Sequence, residues 1–170
     1  MGERGRSILK IDTDKLLSML NTALAEEWLA YYQYWIGARV MEGPMRGDIE
    51  KELQLHANQE LNHAVMVADR IDQLGGTPVL SPDEWTSLSH CSYHKPEDPY
   101  IEAILKQNLD GEQCAIETYD KLAKFTNGED WATYDMAVFI LKEELEHEQE
   151  IEDWLADIRR IKENFQKAAK

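Results

Sequence analysis

QELNH at Gln59–His63 and EELEH at Glu143–His147 carry the same pair at the same step: a glutamate and, three places on, a histidine. On a helix that step sets carboxylate and imidazole on one face, one turn apart. Their neighbours decide the fold. Around the first pair, Ile49, Leu53, His56, Glu60, His63, Val67, Ile71 and Leu74 follow one another at steps of three or four. Around the second, the series is Met136, Ile140, Glu144, His147, Ile151, Trp154, Ile158 and Ile161. Both pairs therefore sit in the apolar seam of an amphipathic helix, the stripe that faces a core.

Outward from these two seams, helical periodicity recurs in two more segments and strand signals are almost absent. The spacing predicts helix A over about 13–41, B over about 44–75, C over about 100–126 and D over about 131–167. "DTD" at Asp12–Asp14 starts A, and "EGP" at Glu42–Pro44 stops it. Pro44 suits the first turn of B, and Gly75 or Gly76 the left-handed cap at its end. Residues 76–99 hold four of the chain's five prolines and no helical period. Two short connections flanking one long one predict an all-α chain: a four-helix bundle whose crossover between B and C runs the bundle's length. Its 170 residues suit a single domain over 1–170.

Composition narrows the function. A net charge of -15 and a pI near 4.7 repel polyanions and attract cations, so DNA is an unfavoured partner. Arg4, Arg6 and Lys10 are too sparse for a nucleic-acid patch. No apolar run is long enough to cross a bilayer, the polar start has no signal-peptide core, and the expected compartment is the cytoplasm.

Helices A and C bury one acid each. The seam of A reads Leu20, Ala23, Glu27, Tyr31, Tyr34, and that of C reads Ile101, Leu105, Asn108, Glu112, Ala115, Tyr119. An ionised carboxylate in a core costs several kcal/mol unless it is paired or holds a cation, on the order of the penalty for any buried ion. With no lysine or arginine in these seam positions, the cation must come from outside. Glu27, Glu60, His63, Glu112, Glu144 and His147 are then the candidate ligands, and four carboxylates with two imidazoles suit a pair of first-row metal ions, one histidine each. His56 reads as a core or supporting histidine, and Tyr34 as a side chain within reach of the site. Tyr31, Tyr34 and Trp35 otherwise read as core, and Glu143, Glu146, Glu148 and Glu150 as a solvated face.

The segments "EEWLAYYQY", "QELNHAV", "LDGEQCAIETYD" and "EELEHEQE" resemble the ferritin superfamily, over about Leu16 to Ile158. Within it, "HCSYH" and "EQCA" resemble the Dps-like proteins called thioferritins, relatives of bacterioferritin. The resemblance implies a ferroxidase with two iron ions per subunit on those six ligands. It further implies oxidation of ferrous iron by hydrogen peroxide, or dioxygen, with ferric mineral stored in a hollow homo-oligomeric shell. Leu61 stands where bacterioferritins carry the methionine that binds haem, so no haem is expected. Helix D runs on without a fifth helix, which favours a cage of 12 subunits.

Two other functions compete. A rubrerythrin-like di-iron peroxidase or oxygenase would store no mineral, but two cysteines cannot supply the four-cysteine iron site such proteins usually carry. A nucleoid-binding protein of the Dps type is opposed by the acidic charge.

Cys91 and Cys114 keep several readings. Each can be an unpaired buried thiol, and "CSYH" has the spacing of half a zinc site without the rest of one. Alternatively the crossover folds back over helix C and brings the thiols together as a redox disulfide beside the metal site.

Overall fold

The computed structural model describes residues 2–169. Four long helices build the bundle: α2 (Thr13–Val40), α3 (Arg46–Gln73), α5 (Ile101–Thr126) and α6 (Trp131–Ala168). A short N-terminal helix, α1 (Glu3–Ser7), precedes them, and a 3₁₀ turn (Pro82–Glu84) running into one turn of helix, α4 (Trp85–Leu88), interrupts the crossover. Neither short element has an apolar period of its own. Asp12 caps α2 by accepting from the Lys15 amide, and Asp130 caps α6 by accepting from that of Thr133. α3 begins two residues past Pro44, after Met45 in the left-handed region (φ 59°). At its other end Gly75 takes φ +80°, and a Cβ on Gly76 would stand 2.4 Å from Leu17 Cδ2.

α2 and α3 pack as one hairpin and α5 and α6 as a second; α2 lies against α5 and α3 against α6. The crossover must therefore travel from the start of α2 to its end, and α2 provides the rail. Asn21 accepts from the Val79 amide and donates to the Thr77 carbonyl, Trp28 stacks on Trp85 at 5.6 Å, and Gln33 accepts from the His94 amide. At the far end Glu42 pairs with the Pro99 and Ile101 backbone, fixing where α5 begins. The opposite end is tied by a buried network: Arg70 of α3 donates to both oxygens of Asp130 (2.7 and 2.8 Å) and to the Thr133 hydroxyl.

The core is divided in two. Leu16, Leu20, Val67, Ile71, Leu122 and Ile140 fill one end, and Ala38, Met41, Ile49, Leu53, Ile104 and Ile158 the other. Each buried leucine or isoleucine stabilises the fold by about 1.5–3 kcal/mol. Between these two apolar plugs lies a polar layer.

Candidate metal centre

The layer is made of the six seam residues. Glu27 (α2), Glu60 and His63 (α3), Glu112 (α5), and Glu144 and His147 (α6) are all buried. They fall into two overlapping groups, Glu27–Glu60–His63–Glu144 and Glu60–Glu112–Glu144–His147, each with its ligand-type atoms within 4.8 Å of one another. Glu60 and Glu144 belong to both. His63 Nδ1 lies 3.6 Å from Glu27, 3.2 Å from Glu60 and 3.1 Å from Glu144. His147 Nδ1 lies 3.4 Å from Glu60, 3.5 Å from Glu112 and 3.4 Å from Glu144. Two carboxylates shared and two terminal, with one imidazole on each side, is the donor set of a carboxylate-bridged metal pair.

Hydrogen bonding leaves the layer unfinished. Glu27 Oε2, Glu60 Oε1, Glu112 Oε2, both Glu144 oxygens and His147 Nδ1 are buried with no hydrogen-bond partner. Buried polar atoms are nearly always satisfied, so six that converge on one point call for a cation there. The donor chemistry fits a pair of first-row divalent ions.

Without a cation the layer is balanced by protons. Burial drives the Glu27 and Glu112 carboxyls well above their ordinary range, and the neighbouring carboxylates add to it. Burial acts the same way on Glu60 and Glu144, but the His147 and His63 rings beside them outweigh it and hold both below that range. Burial alone would lower the two histidines. The carboxylates around them prevail, raising His63 far above an ordinary imidazole and His147 to about 12. The raised imidazoles thus face Glu60 and Glu144, whose carboxyls are held low, and Glu27 and Glu112, whose carboxyls are pushed up.

The surrounding contacts repeat across the two hairpins. Tyr34 of α2 donates to Glu112 of α5, and Tyr119 of α5 donates to Glu27 of α2. Each histidine turns its Nε2 outward to the residue just before the other hairpin's glutamate: His63 to Glu143 at 2.7 Å, His147 to Gln59 at 3.1 Å. Such partners fix ring orientation and leave Nδ1 to the ion. Tyr119 escaped the sequence reading because a tyrosine in a seam is ordinary core. The signal was available: Glu112 to Tyr119 repeats the step from Glu27 to Tyr34. Glu143 and Glu150 were expected on a solvated face. Glu150 is exposed, though it also meets buried His56 at 2.8 Å, whereas Glu143 is half-buried and holds His63. Trp35, expected in the core, is 38% exposed and packs on Tyr32 at the surface. His56 stacks on His147 with centroids 4.0 Å apart, and burial together with that cationic ring lowers it to about 4.

Cys91 and Cys114 form a disulfide with Cα atoms 5.6 Å apart, pinning the crossover to α5. Glu26, next to the proposed ligand Glu27, lies against both sulfurs and accepts from the His90 amide. A pocket of about 30 Å³ opens there, between α2 and α5, lined by Cys91, Glu26, Gln33, Tyr34, Asn108 and Glu112 among others. Gln33 Nε2, Asn108 Oδ1 and Glu26 Oε2 have no partners.

Residues 17–161 match the family model described as the ferritin-like domain. The chain belongs to the ferritin-like family. Its similarity extends to a solved bacterioferritin-related protein of Bacteroides fragilis, described as a dodecameric thioferritin: 49% identity over 96% of this chain and 99% of that one, with a TM-score of 0.95. A "DNA protection during starvation protein" of Pyrococcus furiosus is 38% identical over 160 residues, 91% of this chain and 86% of the relative. The Dps of Thermosynechococcus elongatus, at 15% identity and a TM-score of 0.79 over 84% of this chain and 90% of that one, shares the fold. These relatives place the chain among the Dps-like, thioferritin-type members of the family. No helix among the described residues is long and apolar enough to cross a membrane.

Proposed function

We propose that this protein is a cytoplasmic iron-storage ferroxidase that takes ferrous iron as substrate, uses hydrogen peroxide in preference to dioxygen, and holds the ferric product as mineral inside a shell of twelve copies. The observation that carries the reading is the sharing of Glu60 and Glu144 between the two donor groups, with Glu60 Oε1 and both Glu144 oxygens buried and unsatisfied. A single-ion site would need no shared carboxylates.

The chain's own residues supply binding, charge and position. Glu27 with His63 holds one ion, Glu112 with His147 the other, and Glu60 and Glu144 span both. Iron in this donor set supplies one-electron chemistry, and the anionic oxygens favour its ferric state. Two ferrous ions give up one electron each, and peroxide accepts both to become two hydroxides. The pocket between α2 and α5 has room for one molecule the size of water or peroxide, and the unpartnered Gln33 Nε2 and Asn108 Oδ1 suit a small polar guest. Tyr34 and Tyr119 keep the terminal carboxylates aimed inward.

The -15 charge opposes DNA binding and so favours protection through iron. The test is direct. Metal-free protein given ferrous iron and peroxide anaerobically should oxidise it far faster than buffer, keep the ferric product through gel filtration, and run at a mass near that of twelve subunits. Fast oxidation by a dimer with no retained iron would instead support a peroxidase without storage. No acceleration would end the ferroxidase reading.

A further inference from the structure

Extending the match between the hairpins beyond the metal layer exposes a place where it fails. In the register that sets Gln59, Glu60 and His63 against Glu143, Glu144 and His147, the counterparts of Glu52, His56 and Glu150 are Met136, Ile140 and Met66. Met136 and Ile140 belong to the apolar core, and Met66 packs against it. The bundle therefore closes with plain hydrophobic residues at one of two equivalent positions, and packing alone does not require polar ones at the other.

At the second position the polar trio converges. His56 is 1% exposed, and its Nε2 points to the surface, 2.8 Å from Glu150 Oε2 and 3.8 Å from Glu52 Oε1. The three ligand-type atoms lie within 4.8 Å of one another. The ring's Nδ1 has no hydrogen-bond partner. Glu150 accepts from the ring's Nε2–H, and with the ring proton moved to the unpartnered Nδ1 the Nε2 lone pair is presented to a cation in the proton's place. The two carboxylates border an open pocket of about 330 Å³ completed by Asp153, Trp154 and Asp157. Among the described residues no lysine or arginine forms an ion pair with Glu52, Glu150, Asp153 or Asp157. An uncompensated acidic pocket concentrates cations, and the buried His56 imidazole behind Glu52 and Glu150 selects among them.

We propose that Glu52, His56 and Glu150 form a third metal site, outside the paired centre, for a divalent first-row transition cation. One imidazole nitrogen and two carboxylate oxygens are a borderline donor set that prefers such ions to magnesium or calcium, with water completing the coordination. The site faces solvent on the α3–α6 side, opposite the disulfide and crossover. The His56 ring stacked on His147 puts it next to the paired centre, where an ion can wait before moving inward. That second role rests on the reading of the paired centre; the site itself does not.

The test counts ions. Metal-free protein is dialysed anaerobically against Co²⁺ with excess Mg²⁺, and bound cobalt per subunit is measured for the parent, Glu52→Gln/Glu150→Gln, Glu60→Ala/Glu144→Ala, and all four changes together. The expected counts are three, two, one and none. Because Glu52 and Glu150 are partly exposed, their variants should fold. Retention of no cobalt by Glu60→Ala/Glu144→Ala, or an unchanged count in Glu52→Gln/Glu150→Gln, overturns the third site. Failure of the paired reading looks different, since Glu60→Ala/Glu144→Ala would then bind as much as the parent.

Discussion

The α2–α3 hairpin and the α5–α6 hairpin each contribute the same parts to the buried layer: a terminal glutamate, a tyrosine one layer away, and a Glu-x-x-His pair. Where they agree, the parts cross over, so that each tyrosine serves the other hairpin's glutamate and each histidine leans on the other hairpin for its outer hydrogen bond. Neither half of the site can be assembled alone. Where they disagree, the differences are chemical: a carboxylate behind His63 against an amide behind His147, and His56 against Ile140. The shared parts make up the two candidate donor groups, and the differences make those groups inequivalent.

The largest effect should come from removing what the halves share. Glu60→Ala/Glu144→Ala is expected to bind neither ion of the pair and to lower iron oxidation by more than about a hundredfold, since even outer partners of ligands are worth ten- to a hundredfold. Its metal-free form should keep a far-UV circular dichroism spectrum and melting temperature near the parent's, because the buried charges removed cost the apo bundle desolvation. Normal oxidation kinetics would sink the assignment.

Breaking one half should be milder. Glu27→Ala or Glu112→Ala removes a terminal carboxylate, and each is expected to retain one ion of the pair where the parent retains both, as read by metal analysis after dialysis. Loss of both ions from either variant would mean the halves do not act as separate positions.

Sharpening the asymmetry is subtler still. A carboxylate behind an imidazole raises its basicity, so Glu143→Gln should weaken the ion on His63 by about tenfold and bring the two positions closer in affinity. Gln59→Glu should strengthen the ion on His147, and Co²⁺ titration followed by visible absorption separates the two. Identical isotherms for parent and both variants would show that the outer partners only orient the rings.

Acid should weaken loading. Burial pushes the Glu27 and Glu112 carboxyls up, and the surrounding carboxylates raise His63 and His147, so filling the pair displaces protons. Affinity therefore rises with pH and falls as pH drops. Proton release measured in weak buffer should accompany loading, and release of none would contradict this account of the layer.

The bundle was legible because its seams are long and each carries a residue that solvation forbids there. A glutamate in an apolar seam at helical spacing needs a partner or a cation, and Glu27, Glu60, Glu112 and Glu144 do lie buried in one layer, together with His63 and His147. Glu143 was illegible because it lies off the seam in a run of acids, where each looks solvated. The crossover was legible as a loop from its prolines, but its course along α2 was not, since the Asn21, Trp28 and Gln33 contacts join residues far apart in the chain. The Cys91–Cys114 disulfide was legible only as one of several readings, since a separation of 23 residues says nothing about how the crossover turns back.

Anomalous diffraction from crystals loaded anaerobically with ferrous iron tests the central claim most directly. The account predicts two iron peaks within the bundle in every subunit, one on Glu27 and His63, the other on Glu112 and His147, with Glu60 and Glu144 reaching both. A single buried peak, or none between α2, α3, α5 and α6, would contradict it.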